Sequence, residues 1–417
     1  MSILTTMTRM WLTRTWKPFV FTKAYDKQLP FENAENLGLY IHIPFCRSIC
    51  SFCPYCKISY EKEALDRYVD SLIKEIHMVG KHMVGKKQVS SLYFGGGTPA
   101  LAIERLGEII HAINCHFVIT DGIGLELHPA DVVPEALLKL KELGITKISI
   151  GIQSFQDKFL KILGRGKMDY GRMFEALKQA QFQTVSMDFI FALPGQQFQD
   201  LRRDIETAFE NGANHIAIYP FIDFTFTDSR IPAMDKRKKH RLLDQITAYC
   251  DKKGYYRDSI WTFSKDKAAK YSSMTRDNFL GFGCSATTLL KDQFKINTFS
   301  MEQYQKRIED GRLPTSLTLR FSKRQRMVYY LFWTAYTTRV SAADFQKFFG
   351  VPLKKMYGFE LWLAKQAGFL TEQNGIYQMT PKGAFYYHHY EQYYTLSYID
   401  KMWGIMRRTA FPEKISF

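Results

Sequence analysis

The sequence predicts an α/β fold: a partial parallel (β/α)6 barrel followed by a smaller helical domain. Three observations carry that reading. Six short apolar runs alternate with amphipathic stretches between Leu39 and Tyr219, the order that builds a parallel sheet covered by helices. Polar and glycine-rich motifs follow successive apolar runs, at the carboxyl ends of the strands, where the loops of such barrels open. From about Thr315 the composition turns to Arg, Phe and Tyr, which marks a separate unit.

Residues 1–37 read as an N-terminal extension. The first strand is Leu39–Ile43, an apolar run ahead of a cysteine-dense loop. Lys62–Met78 places Leu65, Tyr68, Val69, Leu72, Ile73 and Ile76 at helical spacing. Ser91–Phe94 is the second strand and leads into Gly95-Gly96-Gly97-Thr98-Pro99. A helix over Leu101–Ile113, a strand over Gly124–Leu127, a helix over Pro134–Leu143 and a strand over Lys147–Ile150 follow. Helical stretches at Lys158–Leu163 and Phe174–Ala180 precede the strand Val185–Phe191, and the helix Leu201–Glu210 precedes the strand His215–Tyr219. The barrel is therefore assigned to residues 38–225. Residues 226–314, with a helix around Lys236–Cys250 and a glycine-rich turn at Gly281-Phe282-Gly283, read as an extension that covers the barrel mouth. In residues 315–417, Val340–Phe349, Lys354–Ala367 and Phe369–Met379 read as helix, helix and hairpin, which resembles a winged helix. A packing and lid role is expected for this winged-helix-like domain, without nucleic acid.

Lys and Arg number 57 against 41 Asp and Glu, a formal net charge of +16. Such a surplus favours anionic partners but does not choose among nucleic acid, a membrane surface and a small molecule with carboxylates or phosphates. The basic run Lys236–Arg241 is read as the solvated start of a helix. With 46% hydrophobic residues, global disorder is excluded. No apolar run reaches the roughly 18 residues of a membrane-spanning helix. Met1–Trp16 lacks the apolar block of a secretory signal. A cytoplasmic location is expected.

Seven cysteines are unevenly placed: Cys46, Cys50, Cys53 and Cys56 are close together, whereas Cys115, Cys250 and Cys284 are isolated. An odd count in such a chain argues against a disulfide framework. Zinc sites usually need a second Cys-x-x-Cys pair or a His pair, and none follows. Cys46-x3-Cys50-x2-Cys53 instead offers three thiolates on one loop directly after a strand. A [4Fe-4S] cluster held in this way keeps one iron open to an outside ligand.

The run Leu39-Tyr-Ile-His-Ile-Pro-Phe-Cys46-Arg-Ser-Ile-Cys50-Ser-Phe-Cys53 resembles the cysteine loop of the radical S-adenosyl-L-methionine (SAM) superfamily. Tyr40-Ile-His-Ile-Pro-Phe-Cys46 is similar to one clade, that of oxygen-independent coproporphyrinogen III oxidase, its heme-chaperone relatives and the class C radical SAM methyltransferases. The resemblance implies that Cys46, Cys50 and Cys53 ligate the cluster, and that its open iron chelates the amino and carboxylate groups of SAM. It implies further SAM contacts. Gly95, Gly96, Gly97 and Thr98 would meet the methionine amino group, and Glu126, in Glu-Leu-His-Pro129, the methionine part or a second SAM. Gln153 and Arg165 would also contact SAM, Arg165 by two-point pairing with the carboxylate. Asp188 would accept from ribose hydroxyls, Ala192–Gly195 would pass under the adenine, and Tyr40 would stack or hydrogen-bond nearby. Taken alone, three glycines are only a turn, and Glu126 is a strand-end ion pair. Asn278-Phe-Leu-Gly-Phe-Gly283-Cys-Ser-Ala286 resembles the clade's Leu-Gly-x-Gly-x-x-Ala segment, a backbone contact for a second SAM.

Two departures bear on function. In the oxidase an extra cysteine follows the third ligand by two positions, whereas Cys56 follows Cys53 by three, with Pro54-Tyr55 between. Cys56 reads as a neighbour of the cluster or substrate, or as a structural residue. Tyr271–Asp277 lacks the His-Asn-x-x-Tyr-Trp element common in the chaperone branch. No Ser-His-Asp or paired-carboxylate constellation stands out, as suits chemistry carried by a cofactor. The resemblance implies an enzyme that cleaves SAM to a 5′-deoxyadenosyl radical. The leading expectation is that a second SAM methylates an sp2 carbon of a tetrapyrrole or other conjugated substrate. Oxidative decarboxylation of a tetrapyrrole, as by coproporphyrinogen III dehydrogenase, and heme delivery as a chaperone are the alternatives. Expected partners are a small, anionic, conjugated substrate and an electron donor such as flavodoxin or ferredoxin. The tail tyrosines Tyr386, Tyr387, Tyr390, Tyr393 and Tyr394 would stack on the substrate.

Overall fold

The computed structural model describes residues 3–266 and 277–417. The stretch read above for the chaperone element, Asp277 apart, lies outside the described residues. The six expected strands are all present: β1 (Leu37–Ile43), β2 (Leu92–Gly96), β3 (Ile123–Leu127), β4 (Ile145–Gln153), β5 (Thr184–Phe191) and β6 (His215–Pro220). They pair in parallel in the order β6-β5-β4-β3-β2-β1.

A seventh parallel strand, β7 (Asn278–Phe282), continues the sheet beside β1, with Asn278 opposite Leu37 and Phe282 opposite Ile41. The sequence suggested a turn here because of its glycines. All five residues of β7 are buried, so no polar-apolar alternation marks the strand. Antiparallel strands extend both flanks, giving one sheet of fourteen strands among the described residues. Val20–Thr22, from the N-terminal extension, lies between Thr315–Arg320 and Lys414–Ser416. Buried Lys295 fastens the same extension by donating to Asp26 Oδ2 at 2.7 Å.

The covering helices follow the expected spacing. Lys62–Gly80 buries Leu65, Tyr68, Val69, Leu72 and Ile76, each such side chain contributing about 2 kcal/mol when fully removed from water. Phe198–Glu210 opens with a capping box of Gln197 and Asp200, which satisfies amide groups the first turn would leave bare.

The strand period of two sorts the remaining side chains. Leu39, Ile41 and Ile43 of β1, and Met187, Phe189 and Phe191 of β5, are buried on alternate positions, the face under the helices. The intervening positions face the barrel lumen: Tyr40 and His42, Tyr93 and Gly95, Glu126, Ser149 and Gly151, Ser186 and Asp188, and Tyr219. Register keeps them in rows. Tyr40 lies opposite Tyr93, Glu126 opposite Ser149, Ser149 opposite Ser186, and Gly151 opposite Asp188.

In the C-terminal unit, helix Lys323–Ala335, strand Arg339–Ser341, helices Ala342–Phe349 and Leu353–Gln366, and the hairpin Leu370–Gln373 with Ile376–Met379 follow in winged-helix order. Met327, Tyr330, Phe345, Phe349, Leu353, Tyr357 and Tyr377 form its core. The tail tyrosines have partners of their own within the chain. Tyr387, Tyr390 and Tyr394 pack around Phe332 with ring centroids 5.6, 6.0 and 4.7 Å away, and the Tyr387 hydroxyl donates to Phe332 O at 2.6 Å. Tyr386 packs on Phe369 and Phe385, and Tyr393 lies under the Lys236 ammonium. Period 3.6 sets these rings along one helix, where they serve helix packing.

Candidate active site

The cysteine loop leaves β1 at Pro44 and is closed by a short parallel pairing, with Phe45 opposite Ile58 and Cys46 opposite Ser59. Cys46, Cys50 and Cys53 are free and half-buried thiols. Lys57 Nζ donates to the carbonyls of Cys50 and, at 2.9 Å, of Cys53, which neutralises backbone acceptors that would otherwise face thiolates. β2 runs on through Gly95 and Gly96, further than expected, and brings its turn against this loop. Gly97 N donates to Ile43 O and Thr98 N to Phe45 O, each at 2.8 Å. A Cβ on Gly97 would stand 2.5 Å from Phe45 O and 2.9 Å from Cys46 Sγ. The glycine turn therefore shapes the cysteine loop itself.

Burial pushes the Cys46 thiol up to about 11, against a hydrogen bond with Thr98. Cys46 would hold iron as a thiolate, since a coordinating thiol is deprotonated outright. Among the described residues, no three His, Cys, Asp or Glu side chains converge as a mononuclear metal site would require. Three thiols spread along a loop suit a polynuclear cluster, in which each thiolate takes its own iron.

Above the loop, two carboxyls face the lumen. Glu126 accepts from the Tyr93 hydroxyl at 3.0 Å and from Gly96 N at 3.1 Å. Asp188 accepts from Ser149 Oγ at 2.9 Å on each oxygen and from Ser186 Oγ at 3.3 Å. Burial and the nearby Asp188 push Glu126 up to about 7, and burial raises Asp188 to about 6. Two carboxyls raised by burial in one space favour a cationic occupant.

Arg165 donates to Gly151 O at 2.5 Å, while its Nε is buried without a partner. Such an orphaned donor costs free energy until an acceptor arrives, and a ligand carboxylate supplies one. Gln153 ends β4 with a left-handed backbone, φ 70°, at the register slip between β4 and β5. Its amide Nε2 would be 2.9 Å from a Cβ on Gly151, so Gln153 and Arg165 converge over Gly151. Ala192, φ 69°, begins the turn after β5. Thiols, orphan guanidinium donor, acidic pair and bare glycine backbone together fit a cluster and an amino-acid-bearing cationic nucleotide.

Tyr40 stands beside Tyr93, with ring centroids 6.2 Å apart and planes 13° apart. His42 Nε2 lies 3.1 Å from Cys56 O and its Nδ1 3.1 Å from the Tyr40 hydroxyl. A carbonyl only accepts, so Nε2 carries the proton and Nδ1 accepts from Tyr40. Burial holds His42 down to about 4, which keeps it neutral. The relay ties β1 to the end of the cysteine loop.

Cys56 turns away from the loop. It is buried, with Sγ 3.9 Å from Cys284 Sγ and 3.4 Å from Phe299 O. Of the openings left by the sequence, the geometry supports the structural one. The position two beyond Cys53 holds Tyr55, which is 53% exposed. Its ring lies 5.8 Å from Trp403. Arg407 donates to Pro54 O at 2.5 Å and Tyr55 O at 2.8 Å. Asp400 accepts from Thr225 N and Oγ1, both at 2.8 Å. Helix Asp400–Arg408 thus spans from the loop after β6 to the cysteine loop. Sequence reasoning missed His42, Lys57, Ser149 and Ser186, although strand alternation marks both serines; Trp403 and Arg407 carried no local signal.

Residues 40–208 match the family described as "Radical SAM superfamily". The chain is 25% identical over 362 residues to "Heme chaperone HemW" of Bacillus subtilis, covering 82% of this chain and 95% of that protein. It is 25% identical over 331 residues to "Oxygen-independent coproporphyrinogen III oxidase" of Synechocystis, covering 70% of each. The fold is similar to that of coproporphyrinogen III oxidase (HemN) from Escherichia coli, with a TM-score of 0.72 at 21% identity over 91% of this chain and 97% of that one.

Proposed function

We propose, for a chain whose residues 40–208 form a radical SAM domain, that Cys46, Cys50 and Cys53 hold a [4Fe-4S] cluster and that the protein cleaves SAM to act on a carboxylate-bearing tetrapyrrole. The observation that carries this reading is the convergence on one lumen of the thiol loop, Glu126, Asp188 and the unpartnered Arg165 Nε. Both relatives named above handle tetrapyrroles by their printed names, which supports the substrate class. When bound, the cluster and SAM supply a carbon radical able to take hydrogen from an unactivated C–H. The chain's residues do the rest. Arg165 offers its free donor to the methionine carboxylate. Glu126 and Asp188 accept from the amino N–H and the ribose hydroxyls of the cationic sulfonium ligand, and helix Asp400–Arg408 limits solvent over the loop.

The oxidase relatives favour hydrogen abstraction from a propionate arm, after which loss of carbon dioxide and of one electron to a redox-protein acceptor would leave a vinyl group. Methyl transfer from a second SAM remains as a second reading, favoured by one observation: Tyr55, not a cysteine, stands two positions beyond Cys53. Anaerobic turnover of SAM carrying a deuterated methyl separates them. Unlabelled 5′-deoxyadenosine with carbon dioxide release is the expected result. Deuterium in the deoxyadenosine supports methyl transfer, and heme uptake without any deoxyadenosine overturns the enzymatic reading in favour of carriage.

The acidic pair gives SAM binding a pH dependence. Glu126 titrates at about 7 in the free site, and a cation beside it favours its ionised form, so binding expels a proton. Affinity for SAM is expected to rise from about pH 6 to about pH 8. Calorimetric titration in buffers of different ionisation enthalpy reads the released proton, and Glu126→Gln should flatten most of the rise. An affinity that falls over this range would contradict the assignment.

A further inference from the structure

The cysteine loop and the C-terminal helix meet in a patch whose chemistry the SAM site does not use. Trp403 is half-buried and nearly parallel to Phe224, with centroids 6.5 Å and planes 16° apart, and it also touches Tyr55 and Phe299. Arg407 is exposed, and its guanidinium lies 4.9 Å over the Phe226 ring. Among the described residues only its Nη2 is hydrogen-bonded, to the carbonyls of Pro54 and Tyr55. Among the described residues it has no carboxylate partner, so its Nη1 and Nε donors stay open in the fork geometry that matches a carboxylate. Tyr55 is half-exposed.

We infer that Tyr55, Trp403 and Arg407 form a substrate subsite beside the cluster loop, in which the aromatic rings bear on a flat conjugated macrocycle and the free edge of Arg407 pairs with one of its carboxylate arms. This rests on the tetrapyrrole reading and adds the residues that select the substrate. The rings supply apolar contact indifferent to the arms, whereas the guanidinium distinguishes a free acid from its ester. Tyr55 and Arg407 are held to one another through the backbone, so macrocycle and carboxylate are read from one rigid junction.

The test uses the full chain with its cluster reconstituted anaerobically, and coproporphyrin III and its tetramethyl ester as fluorescent probes. Arg407→Gln is expected to weaken the tetra-acid about tenfold or more, the range for losing a charge-assisted pair, and to leave the ester unchanged. Trp403→Leu is expected to weaken both probes. Iron content reports whether the loop survives, and if Arg407→Gln sheds iron, Arg407→Lys decides by the same comparison. Equal losses for acid and ester in the arginine variant, or none, overturn the subsite while leaving the tetrapyrrole reading intact. A wild-type chain that cleaves SAM and binds neither probe overturns both.

Discussion

Replacing any one of Cys46, Cys50 and Cys53 with alanine is expected to abolish SAM cleavage and to drop iron from about four per chain to a small residue, with the fold retained. The three thiols are half-buried and belong to none of the hydrophobic clusters, so their loss leaves no large cavity. With two thiolates left, the cluster has no protein ligand for a second of its irons, and the open iron for SAM is no longer defined. Cys56→Ala is the internal control. Cys56 belongs to the main core and contacts Cys284, so its removal should cost about 1–2 kcal/mol of stability and leave iron loading unchanged. Iron analysis and thermal melts of the four variants separate the roles. A Cys46→Ala protein with a full cluster, or a Cys56→Ala protein without one, would break the assignment.

How far the sequence revealed this site depends on the distance over which each part is assembled. The thiol triad, the glycine turn and Glu126 were legible because each lies within a few residues of a strand end, where period-two alternation and local spacing decide the geometry. β7 was not, because a strand buried on both faces shows no alternation and its glycines resemble a turn. The position of Cys56 beside the ligands concealed its direction, which is set by Cys284, 228 residues away. The bracing of the loop by Arg407 spans 353 residues, and no short-range pattern reports a contact of that separation. The tail tyrosines show the converse case. An aromatic stripe at helical spacing is satisfied by a neighbouring helix before it is available to a ligand.

Gly97→Ala is the second large effect expected, and it tests which job the glycine turn performs. The added Cβ would stand 2.5 Å from Phe45 O, 2.8 Å from Pro44 C and 2.9 Å from Cys46 Sγ, so two of the three obstacles are backbone. Neither strand can retreat freely, since Gly97 N to Ile43 O and Thr98 N to Phe45 O are both 2.8 Å bonds across this contact. The overpacking should cost about 3 kcal/mol and push Cys46 out of line with Cys50 and Cys53. Iron loading should therefore fall together with the melting temperature. Gly358→Ala, where an added Cβ meets nothing within 4 Å, should be neutral or slightly stabilising in its helix. If the turn served only to let SAM approach, Gly97→Ala would keep its iron and its stability and lose SAM affinity alone. The close contact with Cys46 Sγ predicts the other outcome, in which SAM binding fails because the cluster beneath it is no longer held.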